Sequence, residues 1–413
     1  MEYGPQSKFG YKSFNPKFTM AKFNPKAWTA LFKRAGARYV VPVAEHCDGF
    51  PEYDSQFTLW DAARMGPKQE LVAELEKAVR ADGMRFGVSS HRAEHWWWNN
   101  PGTKFQSDID YPRYAGLHGP AEPMNLPGVR SRGEPNLNQL QDWLARSTEL
   151  VEKFHPDLIY FDWWINQPAF APYLKKMAAY YYNAAAARHQ GVVLTYKLHA
   201  IPRGAAVQEV AFGKRHYLSL RPWQADISVS RDSWGYVRRY RTARSLLTDL
   251  IDIVSKNGDM LLNIGPRANG TIPARVRRIL LRMGAWLRVN GQAIYGTRPW
   301  VLYGAVPTVG SPGSGPGSPR SYTSRDIRFT RKHGVLYALG LDRPSNGKVL
   351  IRVLYAATPY LHGPITRVTL LGDAAPIHWR QTPDGLTVQL PPSKSKMPYA
   401  LKILSRGATR HRH

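Results

Sequence analysis

Short apolar runs alternate with amphipathic helical segments along the first 298 residues. The runs are Tyr39 to Val43, Phe86 to Ser89, Leu158 to Phe161, Val192 to Tyr196, Ile227 to Val229 and Met260 to Ile264. Between them, 67–81 and 136–154 carry apolar residues at helical spacing. In the second, Leu137, Leu140, Leu144, Val151 and Phe154 share one stripe. A strand that returns through a helix runs parallel to the next, and repetition builds a parallel sheet clad in helices. The predicted fold class is therefore α/β, a (β/α)8-like barrel of TIM type. Six strands are legible, not eight, so the barrel is expected to be incomplete at its N-terminus. The stretch 251–265 reads as a strand ending in Asn263-Ile264-Gly265-Pro266. Pro273 opens a last helix that Asn290-Gly291 stops.

After Trp300 the pattern changes. Residues 304–319 are rich in Gly, Pro and Ser and read as a flexible loop. Beyond them Asp326 to Thr330, Val335 to Leu339, Val349 to Leu354, Thr366 to Leu371, Leu386 to Gln389 and Tyr399 to Ile403 are short strands. Turns such as Ser345-Asn346-Gly347 and Pro383-Asp384-Gly385 separate them. A C-terminal antiparallel β-sandwich follows from this. The expected division is a catalytic barrel domain over 1–298 and a sandwich domain over 299–413.

Composition excludes some classes. Hydrophobic residues at 43% and charged residues at 21% describe a globular chain and exclude a disordered tail. The 57 Lys and Arg against 30 Asp and Glu, net +27, attract polyanions. Apart from Arg238-Arg239-Tyr240-Arg241 and the tail Arg410 to His413, however, the basic residues are scattered. They read as a solvated surface, with an acidic glycan or an anionic cell surface as the next reading; no specific nucleic acid is expected. Cys47 is the only cysteine, so no internal disulfide forms. No apolar run reaches membrane-spanning length, and the first residues lack a signal-peptide pattern, which gives a soluble chain with no stated compartment.

In a parallel barrel the site lies at the carboxyl ends of the strands. Three segments hold polar residues there. In Tyr160-Phe161-Asp162-Trp163-Trp164 an acid ends an apolar strand beside two indoles. That carboxylate is either a nucleophile or a structural partner for a neighbouring loop. In Ala44-Glu45-His46-Cys47-Asp48-Gly49-Phe50 strand alternation points Glu45 and Cys47 away from His46 and Asp48. A shared metal site is thus disfavoured, and His46 reads as a hydrogen-bond partner for a substrate hydroxyl. In Ser89-Ser90-His91-Arg92-Ala93-Glu94-His95-Trp96 the H-x-x-E-H spacing matches a zinc-peptidase pattern, but that chemistry needs a helix. Here the segment follows a strand and runs into Trp97-Trp98-Asn99-Asn100-Pro101-Gly102, so a sugar-facing loop is expected. Tryptophans at strand ends favour a pyranose-binding cleft, although aromatics among basic residues also stack nucleobases.

These segments, with Trp28 to Phe50, Ser233 to Tyr236, Val254 to Pro273 and Asn290 to Trp300 in the same order, resemble the glycoside hydrolase family 29 α-L-fucosidases over nearly the whole chain. The resemblance implies a retaining exo-hydrolase of terminal α-L-fucose acting through a covalent glycosyl-enzyme. Asp162 takes the nucleophile's position, and a second carboxyl acts first as acid and then as base. His46 matches the first histidine of the family's H-H-D-G-F motif; Cys47 replaces the second. The family's acid/base glutamate has no clean counterpart in 204–214, where Glu209 is the candidate, and the Trp-Glu of other relatives is Trp223-Gln224 here. Glu45, His91, Glu94, Trp96, Trp164, Arg221 and Trp223 are the expected substrate-binding residues. The partner is a fucosylated glycan or fucoside, with no metal and no cofactor. The family's opening strand, with its sugar-contacting histidine and Glu-Trp loop, is not found before Tyr3 to Gly10. A truncated chain that has lost any secretion signal is one expectation. A catalytically impaired fucose- or glycan-binding relative is the alternative function.

Overall fold

The computed structural model describes residues 3–119, 134–211, 215–305 and 322–406. The basic tail 410–413, 212–214 and nearly all of the Gly/Pro/Ser-rich loop lie outside the described residues. In chain order the elements are α1 (Pro25–Ala35), β1 (Tyr39–Val40), β2 (Val43–Glu45), α2 (Leu71–Ala81), β3 (Arg85–Ser90), α3 (His95–Trp98), α4 (Ala115–His118), α5 (Leu137–Phe154), β4 (Leu158–Phe161), α6 (Ala171–Ala187), β5 (Val193–Lys197) and β6 (Val207–Glu209). Then come β7 (Trp223–Ser228), α7 (Ala243–Ser255), β8 (Gly258–Asn263), α8 (Ala274–Asn290) and the antiparallel strands β9 (Arg298–Gly304), β10 (Ile327–Lys332), β11 (Val335–Gly340), β12 (Lys348–Ile351), β13 (Ile365–Leu370), β14 (His378–Thr382), β15 (Gly385–Gln389) and β16 (Tyr399–Ser405). The class is the predicted one: a TIM-like half-barrel of parallel strands, then antiparallel sheets.

The chain forms two compact units. The first, 1–33, 37–209 and 266–273, holds β1 to β6. Both β1 and β2 pair in parallel with β3, and β3, β4, β5 and β6 follow in order. Phe86, Val88, Ile159, Phe161 and Leu194 bury completely or almost so, beneath Trp143 and Leu150 of α5 and Met177 and Tyr181 of α6. Each such side chain contributes about 1.5–3 kcal/mol by leaving water. Helix α5 starts where Asn136 accepts a bond from the Gln139 amide while the Gln139 side chain accepts from Asn136, a reciprocal cap. It ends at His155, which adopts a left-handed conformation.

The second unit, 34–36, 210–265 and 274–413, contains the parallel pair β7 and β8 and the sandwich. One sheet runs β13-β16-β11-β10-β9 and the other β12-β15-β14. Their facing residues, among them Phe329, Ala338, Ile351, Val388 and Leu401, are fully buried or nearly so.

Several boundaries differ from the sequence reading. Ile251 to Ser255 is the end of α7 and not a strand, so β8 begins at Gly258. Strand β7 begins at Trp223, before the apolar run at Ile227, because Gln224 and Asp226 interrupt the hydrophobic pattern yet are buried. Strands β6, β9 and β14 were not legible: β6 spans three residues, and β14 is mostly polar.

Candidate active site

The register of the first unit sets the site. Ser90 pairs with Phe161, Phe161 with Tyr196, and Lys197 with Glu209. One residue beyond, His91 and Asp162 therefore stand level with Lys197 and Glu209. On the other side Glu45 pairs with Ser90, which puts His46 level with His91. Residues on one rung of a parallel sheet face the same way. His46, His91, Asp162, Lys197 and Glu209 thus form a row across the carboxyl ends of five strands.

Contacts run along that row. The His46 and His91 rings stack at 4.3 Å. His91 Nδ1 lies 2.8 Å from Asp162 Oδ2, and the Tyr160 hydroxyl, two residues earlier on the same face, donates to Asp162 Oδ1 at 2.6 Å. Lys197 Nζ lies 3.6 Å from Asp162 Oδ1 and 3.2 Å from Glu209 Oε2. A carboxylate oxygen of Asp162 and one of Glu209 come within 4.8 Å. Burial pushes the Asp162 carboxyl up, but the bond and charge of His91, the Lys197 ammonium and the Tyr160 bond outweigh it. The group is held well below the usual carboxylate range. Asp162 is thus a constantly ionised carboxylate at the end of β4.

His46 keeps an open edge. Desolvation by its neighbours, then the charge of His91, lowers it to about 3, so the ring stays neutral. Its Nδ1 lies 2.8 Å from Cys47 Sγ, leaving Nε2 for an outside partner. Burial, followed by the charges of Glu94 and Asp48, pushes the Cys47 thiol far up. Cys47 therefore acts as a small packed neighbour of His46 and not as a thiolate.

Other expected residues are placed differently. Glu45 is 2% exposed and its carboxylate meets Arg92 Nη1 at 2.8 Å and Arg146 Nη1 at 3.4 Å, with Asp142 completing the cluster. It is committed to two guanidinium groups and is not placed to contact a sugar. The expected loop after His91 is instead two short helical turns, 92–94 and α3. His91 turns to Asp162, while His95 Nδ1 meets the Cys47 carbonyl at 3.0 Å, so the two imidazoles do not converge as zinc ligands would. Glu94 is half-buried on the first turn, and Trp96 is buried edge-on to Trp164, 6.5 Å away. Trp223 is a packing residue at the amino end of β7: its Nε1 donates to the Lys256 carbonyl at 2.9 Å, and a Cβ on Gly258 would come within 2.6 Å of its ring. Arg221 is exposed just before that same end. Neither stands at a carboxyl strand end, where barrel sites form. Lys197 was missed; the one clue was that it ends an apolar run, as Asp162 does.

The α-L-fucosidase family model matches residues 1–292, and the α-L-fucosidase C-terminal domain matches 321–404. The chain belongs to the α-L-fucosidase family. It is thereby a member of a glycoside hydrolase family. Rat tissue α-L-fucosidase is 29% identical over 397 residues, covering 93% of this chain and 75% of the relative. The crystal structure of Thermotoga maritima α-fucosidase superposes with a TM-score of 0.72 at 27% identity, over 96% of this chain and 83% of that one. The same Thermotoga protein in complex with fucose gives 0.71 at 26% identity, over 96% of this chain and 82% of that one.

Proposed function

We propose that this chain is a retaining, exo-acting α-L-fucosidase that forms a glycosyl-enzyme on Asp162, with 1–298 as catalytic domain and 299–413 as sandwich domain. The observation that carries the reading is the environment of Asp162. Its ionised carboxylate is aimed by His91 and Tyr160 at a strand end, beside the open ring of His46. Oxygen Oδ2 or Oδ1 attacks the anomeric carbon as the glycosidic bond breaks, and the leaving oxygen takes a proton from Glu209. Water then loses a proton to Glu209 and displaces Asp162, restoring both groups. The approach of the two carboxylates to within 4.8 Å supports retention, since an inverting pair stands further apart to admit a water. His46 Nε2 contacts a fucose hydroxyl.

One observation favours a second reading. Glu209 has no exposed side-chain surface and pairs with Lys197, an arrangement suited to binding without turnover. An aryl α-L-fucoside separates the two. Release by the parent and not by Asp162→Ala supports the hydrolase; no release together with fucose-dependent thermal stabilisation supports a fucose binder.

A further inference from the structure

The two indoles that follow Asp162 go to different places. Trp164 has φ +77°, a left-handed conformation that costs a bulky residue about 1–2 kcal/mol. Its ring lies nearly parallel to Trp97 at 6.2 Å and edge-on to Trp96. This turn leaves Trp163 at the surface, 40% exposed, and no aromatic ring among the described residues stacks on it. The Lys197 ammonium lies 5.3 Å from the Trp163 ring centroid while it also holds Asp162 and Glu209. The open indole is therefore tied to the same cation as the proposed nucleophile and acid/base.

Its side of the row also matters. Along the strand order the histidines proposed to hold fucose, His46 and His91, lie on the β2 and β3 side of Asp162, whereas Lys197 and Glu209 lie on the β5 and β6 side. A group that protonates the glycosidic oxygen must face the leaving group. The leaving group therefore occupies the β5 and β6 side, where Trp163 is held.

We infer that Trp163 is a specificity-determining residue, a stacking platform for the pyranose ring of the leaving group that favours fucose attached to another sugar. This inference rests on the fucosidase reading of Asp162. An exposed indole presents a broad apolar face at little loss of conformational freedom, which suits the C–H face of a sugar.

The test compares α-L-fucosyl fluoride, whose leaving group has no ring and needs no proton, with a fucosyl-hexose disaccharide. The parent, Trp163→Ala and Trp163→Phe are assayed on both. The expected result is that Trp163→Ala loses about tenfold in kcat/KM on the disaccharide, stays within about twofold on the fluoride, and melts with the parent, while Trp163→Phe keeps most of the disaccharide rate. Equal losses on both substrates, or none on the disaccharide, overturn the platform and leave the fucosidase reading standing. If Trp163→Ala melts early, Trp163→Gln takes its place with the same criteria. If neither the parent nor the Trp163 variants release fluoride from α-L-fucosyl fluoride, the fucosidase reading falls and this inference with it.

Discussion

His91 Nδ1 and Asp162 Oδ2 lie 2.8 Å apart across two neighbouring parallel strands, each one residue past its strand end. That close contact between imidazole and carboxylate positions Asp162 and favours its ionised form. His91→Ala is expected to lower kcat/KM on an aryl fucoside about 10–100-fold, the worth of a hydrogen bond to a charged group. Because Asp162 is held low in the parent, losing His91 raises it, and the acid limb of the pH profile moves to higher pH. A pH–rate comparison of the two proteins checks the direction.

Lys197 is 2% exposed and bridges two carboxylates. Removing one member of a buried ion pair leaves the other charge uncompensated, at about 3–5 kcal/mol. Lys197→Met is expected to lose that much in urea unfolding. The double variant Lys197→Met with Glu209→Gln should regain part of it, because one of the two carboxylates that lost Lys197 no longer carries a charge.

Burial, then the charge of Asp48, pushes the Glu52 carboxyl up to about 8 from an ordinary 4.5. The folded protein holds this proton more tightly than the unfolded chain, so the contribution to stability is full below the ordinary value and is lost as pH rises towards 8. Glu52→Gln carries no such charge. It should melt close to the parent at pH 5 and above it at pH 8.

Glu45 meets Arg92 and Arg146 in the interior. Glu45→Gln leaves Arg92 and Arg146 with Asp142 as their remaining carboxylate partner and is expected to cost about 1–3 kcal/mol in unfolding. Fucose should still stabilise the folded variant, since the carboxylate does not face the sugar; a thermal shift with and without fucose measures this.

Much of the fold was readable because apolar runs between helices force a parallel sheet. Asp162, His46 and His91 were legible because polar residues just past such runs sit at the barrel's open end. Lys197 was not, since a lysine after Tyr196 reads as a solvated strand end until register puts two carboxylates beside it. Trp223 was expected at the site because Trp223-Gln224 stands where relatives carry Trp-Glu; the buried polar residues Gln224 and Asp226 hid the true start of β7, so the residue that opens the strand read as part of the loop before it. Glu45 looked available because sequence does not show that Arg146, a full 101 positions away, reaches its carboxylate.

In the proposed reaction Asp162 forms the covalent bond to the sugar. Incubation with 2-deoxy-2-fluoro-α-L-fucosyl fluoride, which slows loss of the glycosyl-enzyme, followed by peptide mass mapping, tests it most directly. A single fluorofucosyl adduct is expected on the peptide carrying Asp162, absent from Asp162→Ala. An adduct on another carboxylate, or none while aryl fucoside is still hydrolysed, would contradict it.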